Sequence, residues 1–333
     1  MFEHFANVWT PVERSVKLAG KPISVELAGE KVALFRDRAG SVQALVDRCP
    51  HRGVALSLGK VTPEGCLECP FHGWQFEGNG SCFRVPLNPD ARRELLSATA
   101  LPARELGGLI WVYTAAGATA PVEPAPPEGL VRDDVARAVL VEEWSAHWTR
   151  AMENMLDSPH LPFVHRRTIG RALRAQLKPN SKMHVEWEDM SFGGRTKGWL
   201  DDAPNQAVLE FYRPNIMAPH IPIPGKHFRI HAICVPLGGN RTRMIVVGSR
   251  DFLKLSVFDV FFRKANHRIV KEDRAVVESS SPAEVPPAAA ERSVETDRAT
   301  LRFRRYYYQT LRGSSAANPN VVGPLLPDGS GGR

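Results

Sequence analysis

Apolar and polar positions divide the chain into two stretches of different character. Residues 23–46 read as three short strands, ISVELAG, EKVALFRDRAG and SVQALVD, separated by turn signals at Gly29 and Asp37–Gly40. Residues 104–114 (RELGGLIWVYT) read as one further strand, so the first hundred or so residues are mostly β. Residues 116–130 are rich in Ala, Pro and Glu with Gly, a linker composition. Beyond it, WSAHWTRAMENMLD (144–157) reads as a helix, and MHVEWED, AVLEFYRP, KHFRIHAICVPL and TRMIVVGSR read as strands within 183–250. Residues 252–280 and 292–312 look helical. The predicted organisation is an all-β domain over 1–115, a linker over 116–130, an α+β domain with an antiparallel sheet over 131–315, and a flexible tail over 316–333. There is chain enough for two separate cores.

Composition sets limits without pointing to a reaction. Among 333 residues, 43% are hydrophobic, 24% charged and 8% aromatic, which excludes a largely disordered chain, a collagen-like repeat and a disulfide scaffold. No stretch approaches the roughly 20 apolar residues of a membrane span. The opening MFEHFANVWTPVER lacks a basic region followed by an apolar one, which predicts a cytoplasmic protein that does not engage a membrane. The net charge is +7, but the basic residues are dispersed among acids and form no nucleic-acid module. A basic surface of this kind suits an acidic protein partner better.

Cysteine placement carries the first chemical signal. Four of the five cysteines (Cys49, Cys66, Cys69 and Cys82, with Cys234 apart) fall within 34 residues, interleaved with two histidines. CPHRG at 49–53 and CPFHGW at 69–74 each supply one thiol and one imidazole, with seventeen residues between His51 and Cys69. Zinc fingers usually pair Cys with Cys and His with His, whereas here each segment is mixed. A [2Fe–2S] centre with two Cys on one iron and two His on the other needs this mixture. A zinc ribbon built on Cys66 and Cys69 is the competing reading.

CPHRG…CPFHGW resembles the Rieske ferredoxin motif in its oxygenase form, without the extra cysteine pair of the respiratory form. The resemblance implies a Rieske [2Fe-2S] cluster held by Cys49, His51, Cys69 and His72. Such a centre works at roughly −150 to +300 mV.

The second signal lies in ENMLDSPHLPFVH. Histidines five residues apart do not share a helix face, and Pro159 and Pro162 break the helix around them, so the backbone must bend for both imidazoles to face one point. D-x-x-H-x-x-x-x-H resembles the mononuclear iron site of the Rieske non-haem iron oxygenases, in the vanillate O-demethylase and dicamba monooxygenase branch. That family holds Fe(II) with two histidines and one carboxylate. The resemblance implies His160 and His165 as ligands, with a distant carboxylate in KEDRAVVES: Asp273, with Glu272 and Glu278 as local alternatives. It also implies Asp157 as a bridge between a cluster histidine of one subunit and an iron histidine of its neighbour, within a homotrimer. Asn154 is a candidate polar group of the iron pocket.

The resemblance further implies a catalytic domain of helix-grip type and a terminal oxygenase component. Its substrates would be O2 and a small organic molecule, aromatic or cyclic, which it would hydroxylate or oxidatively demethylate. The alternative is a Rieske electron-transfer protein with a non-catalytic second domain. No G-x-G-x-x-G fingerprint and no plant-type cluster motif is present, so electrons from NAD(P)H require a separate flavin/iron-sulfur reductase or a ferredoxin. Candidate substrate contacts come from NIMAPHIPIP, read as a pocket loop, with Asn215, Met217 and His220, and from the strand KHFRIHAIC. There His227, Arg229 and His231 share one face by period two.

Overall fold

The computed structural model describes residues 1–203 and 206–313. The first eleven strands are short. They are β1 (Trp9–Arg14), β2 (Ile23–Leu27), β3 (Glu30–Arg36), β4 (Val42–Val46), β5 (Lys60–Val61), β6 (Leu67–Glu68), β7 (Gln75–Phe76), β8 (Cys82–Arg84), β9 (Ala100–Leu101), β10 (Ala103–Leu106) and β11 (Leu109–Tyr113). They form three small antiparallel sheets, ordered β1-β11-β10, β2-β3-β4-β9 and β5-β6-β7-β8. The predicted strand over 104–114 is in fact the β10–β11 hairpin. Gly107 and Gly108 turn it with φ of +62° and +75°. Gly107 also admits a close crossing, since a Cβ there would sit 2.4 Å from the Leu130 carbonyl oxygen.

Residues 116–130 do not hang free. Trp9 Nε1 donates to the Val122 carbonyl at 2.7 Å, Arg104 pairs with Glu123, and the single turn α1 (Glu128–Val131) buries Leu130. Strand β12 (Ala136–Trp144) follows, then α2 (Trp148–Leu156), α3 (Leu161–Val164) and α4 (Arg171–Gln176). The helix predicted from 144 therefore starts at 148, where the His147 side chain accepts from Thr149 N. Strands β13 (Met183–Met190), β14 (Gly193–Leu200), β15 (Ala207–Tyr212), β16 (Ile216–Pro219), β17 (Phe228–Pro236) and β18 (Thr242–Arg250) come next. They complete a seven-stranded antiparallel sheet ordered β12-β18-β17-β16-β15-β14-β13. The long helix α5 (Val257–Val277) and α6 (Arg298–Tyr306) close the domain. The predicted tail over 316–333 lies outside the described residues.

Residues paired across neighbouring strands point to the same side of a sheet, which fixes what each face meets. Gly248 lies under α5, where a Cβ would stand 3.5 Å from Asn266 Nδ2, and Gly198 lies under Ser158. The register Gly248↔Ile230, Val246↔Ala232 and Ala232↔Met217 puts Ile230, Ala232 and Met217 on this helix-covered face. His231, opposite Val247, and Arg229, opposite Ser249, point the other way.

The hydrophobic interior does not divide at the linker. One core joins β1, β2, β3 and β11 to α2, β17, β18 and α6, while a second, smaller one lies under Cys49 and Cys69 with Phe35, Leu56, Leu67 and Phe76. The junction is tied by Asn215, whose Nδ2 donates to Thr10 Oγ1 at 3.0 Å and to the Cys234 carbonyl at 2.9 Å.

Candidate metal centres

The two Cys/His segments fold into matching turns. Cys49 N donates to Val54 O and Gly53 N to Cys49 O; Cys69 N donates to Trp74 O and Gly73 N to Cys69 O, all at 2.8–3.0 Å. Each turn closes on a glycine of positive φ, +74° at Gly53 and +71° at Gly73, a conformation that L side chains rarely adopt. The thiols of Cys49 and Cys69 are buried and unbridged, while His51 and His72 lie at the exposed rim with ring centres 4.7 Å apart. His51 stacks on Trp74 at 4.5 Å with the rings nearly parallel.

Burial pushes the Cys49 thiol up to about 11, with the adjacent Cys69 sulfur adding to it. Desolvation, with His72 and Arg52 nearby, holds His51 below its usual value, which favours the neutral imidazole that a metal takes. Two paired thiols in an apolar wall, facing two imidazoles at the rim, fit a Rieske cluster. Cys66 and Cys82 stand apart from this arrangement: Cys66 N donates to Thr62 Oγ1 and the Cys82 thiol lies 3.9 Å from Arg84 O.

His160, His165 and Asp273 form a group whose ligand atoms converge within 4.8 Å. Helix α2 ends at Asp157, the chain turns through Ser158 and Pro159, and α3 runs between the two histidines, His160 just before it and His165 just after it. Asp273 projects from the last turns of α5 and is 3% exposed; His165 is 1% exposed. Asp273 Oδ1 lies 2.9 Å from His165 Nε2 and 3.5 Å from His160 Nε2. It nevertheless makes no well-aligned hydrogen bond with either, an orphaned buried oxygen facing two ring nitrogens. Two imidazoles and one carboxylate converging in this way fit a mononuclear iron of the facial-triad type.

Each histidine is oriented from behind by another carboxylate. His160 Nδ1 lies 3.2 Å from Asp157 Oδ2, which also accepts from His160 N at 3.1 Å. His165 Nδ1 lies 2.9 Å from Glu272 Oε2, and Thr168 Oγ1 donates to that same oxygen at 2.5 Å. Burial opposes a charge on His165, but Asp273 and Glu272 outweigh it and hold that imidazole above its ordinary value. Of the alternative ligands, Glu272 stands behind His165, and Glu278 accepts from Ser145 N and Arg274. The supporting parts played by Glu272 and Thr168 escaped sequence reasoning. Their only sequence signal is a second acid directly beside Asp273 on a helix. Asn154 carries a buried Nδ2 without a partner, one turn before Asp157.

The substrate candidates separate. Met217 is on the helix-covered face, the side that carries the triad. Asn215 is fully buried with its amide committed to Thr10 and Cys234, so it is a strut between domains and not a pocket contact. His220, bridged to Arg229, and His231 point to the opposite face of the sheet, which corrects their assignment to the substrate pocket beside the triad.

Comparison with known proteins agrees with this geometry. Residues 8–99 match the model of the Rieske [2Fe-2S] domain, and residues 144–312 match that of the vanillate O-demethylase oxygenase C-terminal domain. Chlorophyllide a oxygenase of Chlamydomonas reinhardtii is 31% identical over 294 residues, covering 83% of this chain and 43% of that protein. The 3-chlorobenzoate-3,4-dioxygenase oxygenase subunit of Comamonas testosteroni is 34% identical over 161 residues, covering 47% of this chain and 37% of that protein. The chain thus spans about half or less of the curated relatives it matches. Dicamba monooxygenase bound to dicamba shares the fold at a TM-score of 0.78 and 23% identity, covering 94% of this chain and 98% of that one. NdmA of Pseudomonas putida CBB5 shares it at 0.77 and 22%, covering 93% and 91%. With a Rieske domain, a converged His-His-Asp triad and a C-terminal half that matches over 144–312, the chain belongs to the Rieske oxygenase family of the vanillate O-demethylase type.

Proposed function

We propose that this chain is the terminal oxygenase component of a Rieske monooxygenase or demethylase. It would act on a small aromatic or cyclic substrate with O2 and with electrons from NAD(P)H delivered by a separate reductase or ferredoxin. The observation that carries this reading is the buried oxygen of Asp273, unsatisfied between two histidines whose outer nitrogens are each held by a carboxylate. When bound, the cluster would supply single electrons and the mononuclear iron would supply oxygen activation beside the substrate. Solved relatives that hold dicamba and caffeine support small ring compounds as the substrate class.

The protein's own groups then have separable tasks. Asp157 and Glu272 fix the ring orientation and tautomer of His160 and His165. Burial of His165 and Asp273 keeps water from the inner side of the site. Met217, Ile230 and Ala232 give the neighbouring sheet face an apolar lining, suited to a ring body and poor for stray protons. Asn154 offers one amide to a polar substituent or to a water.

Within the same reading the chain is organised as a Rieske domain over 1–115, a passage over 116–130 and a catalytic domain over 131–315. It works as a homotrimer in which Asp157 links the cluster of one subunit to the iron of the next. Five buried free cysteines suit a reducing compartment, the cytoplasm. Among the described residues no helix is long and apolar enough to cross a membrane.

The test is metal content followed by turnover. Protein prepared anaerobically and loaded with Fe(II) should carry three irons and two acid-labile sulfides per chain. With a surrogate reductase it should consume O2 only when a suitable ring compound is added. Two irons and two sulfides after Fe(II) loading would instead support an electron-transfer protein with a non-catalytic second domain. Zinc without sulfide would sink both.

A further inference from the structure

The sheet face turned away from the triad carries a second cavity that the oxygenase reading does not use. It encloses about 440 Å³ between α1 and strands β14–β17. Of its three arginines two are compensated, and Glu128 is exposed at its mouth. Arg132 is paired with Asp134, and Arg195 with Glu210 at 2.9 Å. Glu210 also accepts from Tyr212 at 2.9 Å and stands 3.1 Å from His220, so its own charge is spent inside the wall. Arg229 has no carboxylate partner among the described residues, and its Nη1 is buried without a hydrogen bond. His231 beside it is 1% exposed with Nδ1 equally unpartnered. Arg229 as a whole is half-buried, but each buried nitrogen left without a partner is costly. The α1 backbone closes this corner so tightly that a Cβ on Gly129 would stand 3.2–3.3 Å from His231, Arg229 and His227.

A second cleft of about 530 Å³ opens from the same corner, sharing His220, His227 and Arg229 with the first, and Ile221, Ile223 and Phe228 give it an apolar wall. We propose that this pair of cavities is a binding site for an amphiphilic carboxylate, distinct from the reacting substrate. Its head sits on Arg229 and His231, and its apolar body runs along Ile221 and Ile223. The carboxylate supplies the missing counter-charge and accepts hydrogen bonds from Arg229 Nη1 and His231 Nδ1. Burial pushes His231 down to about 4, with the charge of Arg229 reinforcing it and the Val247 backbone opposing it, and the Nδ1-protonated tautomer of the neutral ring would donate to the carboxylate. A neutral alcohol of the same length lacks the charge that Arg229 requires, and an amine repels it. Because the site lies across the sheet from the triad, occupancy needs neither iron nor turnover.

Isothermal titration calorimetry of the full chain with octanoate, octanol and octylamine tests the site. One octanoate per chain is expected, bound at least about tenfold tighter than octanol, with no binding of octylamine. Arg229→Gln and Ile223→Asp should each weaken octanoate at least about tenfold, whereas Asp273→Asn should leave it unchanged. Ile223 sits on a half-exposed loop, so its variant decides the matter if Arg229→Gln fails to fold. No heat of binding at millimolar octanoate, equal affinity for octanol, indifference to the Ile223 change, or loss of octanoate binding in Asp273→Asn would each overturn the proposal.

Discussion

His165 faces a carboxylate at each ring nitrogen, Asp273 across from Nε2 and Glu272 bonded to Nδ1, and those two acids are consecutive on α5. Consecutive helical residues point about 100° apart, so an imidazole lying against the helix can be reached by both. The motif reading proposed Asp273, which the structure brings to both histidines, and named Glu272 only as a substitute for it. Spacing along a chain says which acids are near a site, not which oxygen faces which nitrogen. The pairing of the two Cys/His turns was readable, because each Cys-x-His or Cys-x-x-His turn is local. Asn215, His220 and His231 were not, because which face a strand residue occupies depends on register with neighbours distant in sequence. The division of labour at His165 has a consequence. Glu272→Gln keeps the shape but withdraws the charge behind His165, and outer carboxylates of this kind matter by about 10–100-fold in metal affinity or activity. We expect iron retention at the triad and substrate-dependent O2 uptake to fall by that order, while the visible absorbance of the cluster stays at the wild-type level. Unchanged iron affinity and turnover would show that Glu272 is a bystander.

At the level of elements, the two cluster turns and the helix that leads into the triad make separate claims. Gly53 and Gly73 both hold positive φ, but a Cβ at Gly53 has free space to 4.0 Å while one at Gly73 meets Pro86 Cγ at 3.1 Å. Alanine at either costs roughly 1–2 kcal/mol of backbone strain, and at Gly73 a steric term is added. Cluster content per chain should therefore fall further in Gly73→Ala than in Gly53→Ala, and the reverse order would refute the steric part. Helix α2 is anchored to α6 and the preceding segment by a buried network. Arg304 contacts Glu153 and Glu291, and Arg150 meets Glu153 at 3.1 Å and Glu291 at 2.7 Å. Removing one member strands the others, a loss on the order of 3–5 kcal/mol. Glu153→Ala should lower the denaturant midpoint accordingly, and an unmoved midpoint would count against the network. Strands β14 and β16 were missed for physical reasons. GGRTKGWL has glycines where β-formers are expected, and Gly194 is required because a Cβ there would collide with the Trp187 ring at 1.9 Å. IMAP is four residues long and ends in proline. Strand β12 lay in the stretch before the predicted helix and became visible only through its pairing with β18.

At the scale of the molecule, the shared core and the Thr10–Asn215–Cys234 tie make the two halves one packed body, so the distance from cluster to iron within a chain is set by the fold. His51 and His72 present their rings at the exposed rim of the Rieske half, and Asp157, behind His160, is itself half-buried. Exposed rings on one side and a half-exposed carboxylate on the other are compatible with a contact between two copies, the electron path that the family resemblance implies. The prediction separates that path from any route inside one chain. Asp157→Ala alone should leave the cluster intact and abolish turnover even in protein whose triad has been filled by Fe(II) loading. Two inactive chains, one carrying His72→Ala and the other Asp273→Ala, are then unfolded or dissociated, mixed in equal amounts and reassembled. In a cyclic trimer a working junction needs an intact cluster on one chain followed by an intact triad on the next, which random mixing supplies at about one junction in four. Activity should return to roughly a quarter of wild type and vanish again when both chains also carry Asp157→Ala. If electrons pass only within a chain, no mixture of the two variants recovers any activity, since neither chain holds both sites. Recovery that persists without Asp157 would keep the trimer but remove the bridge.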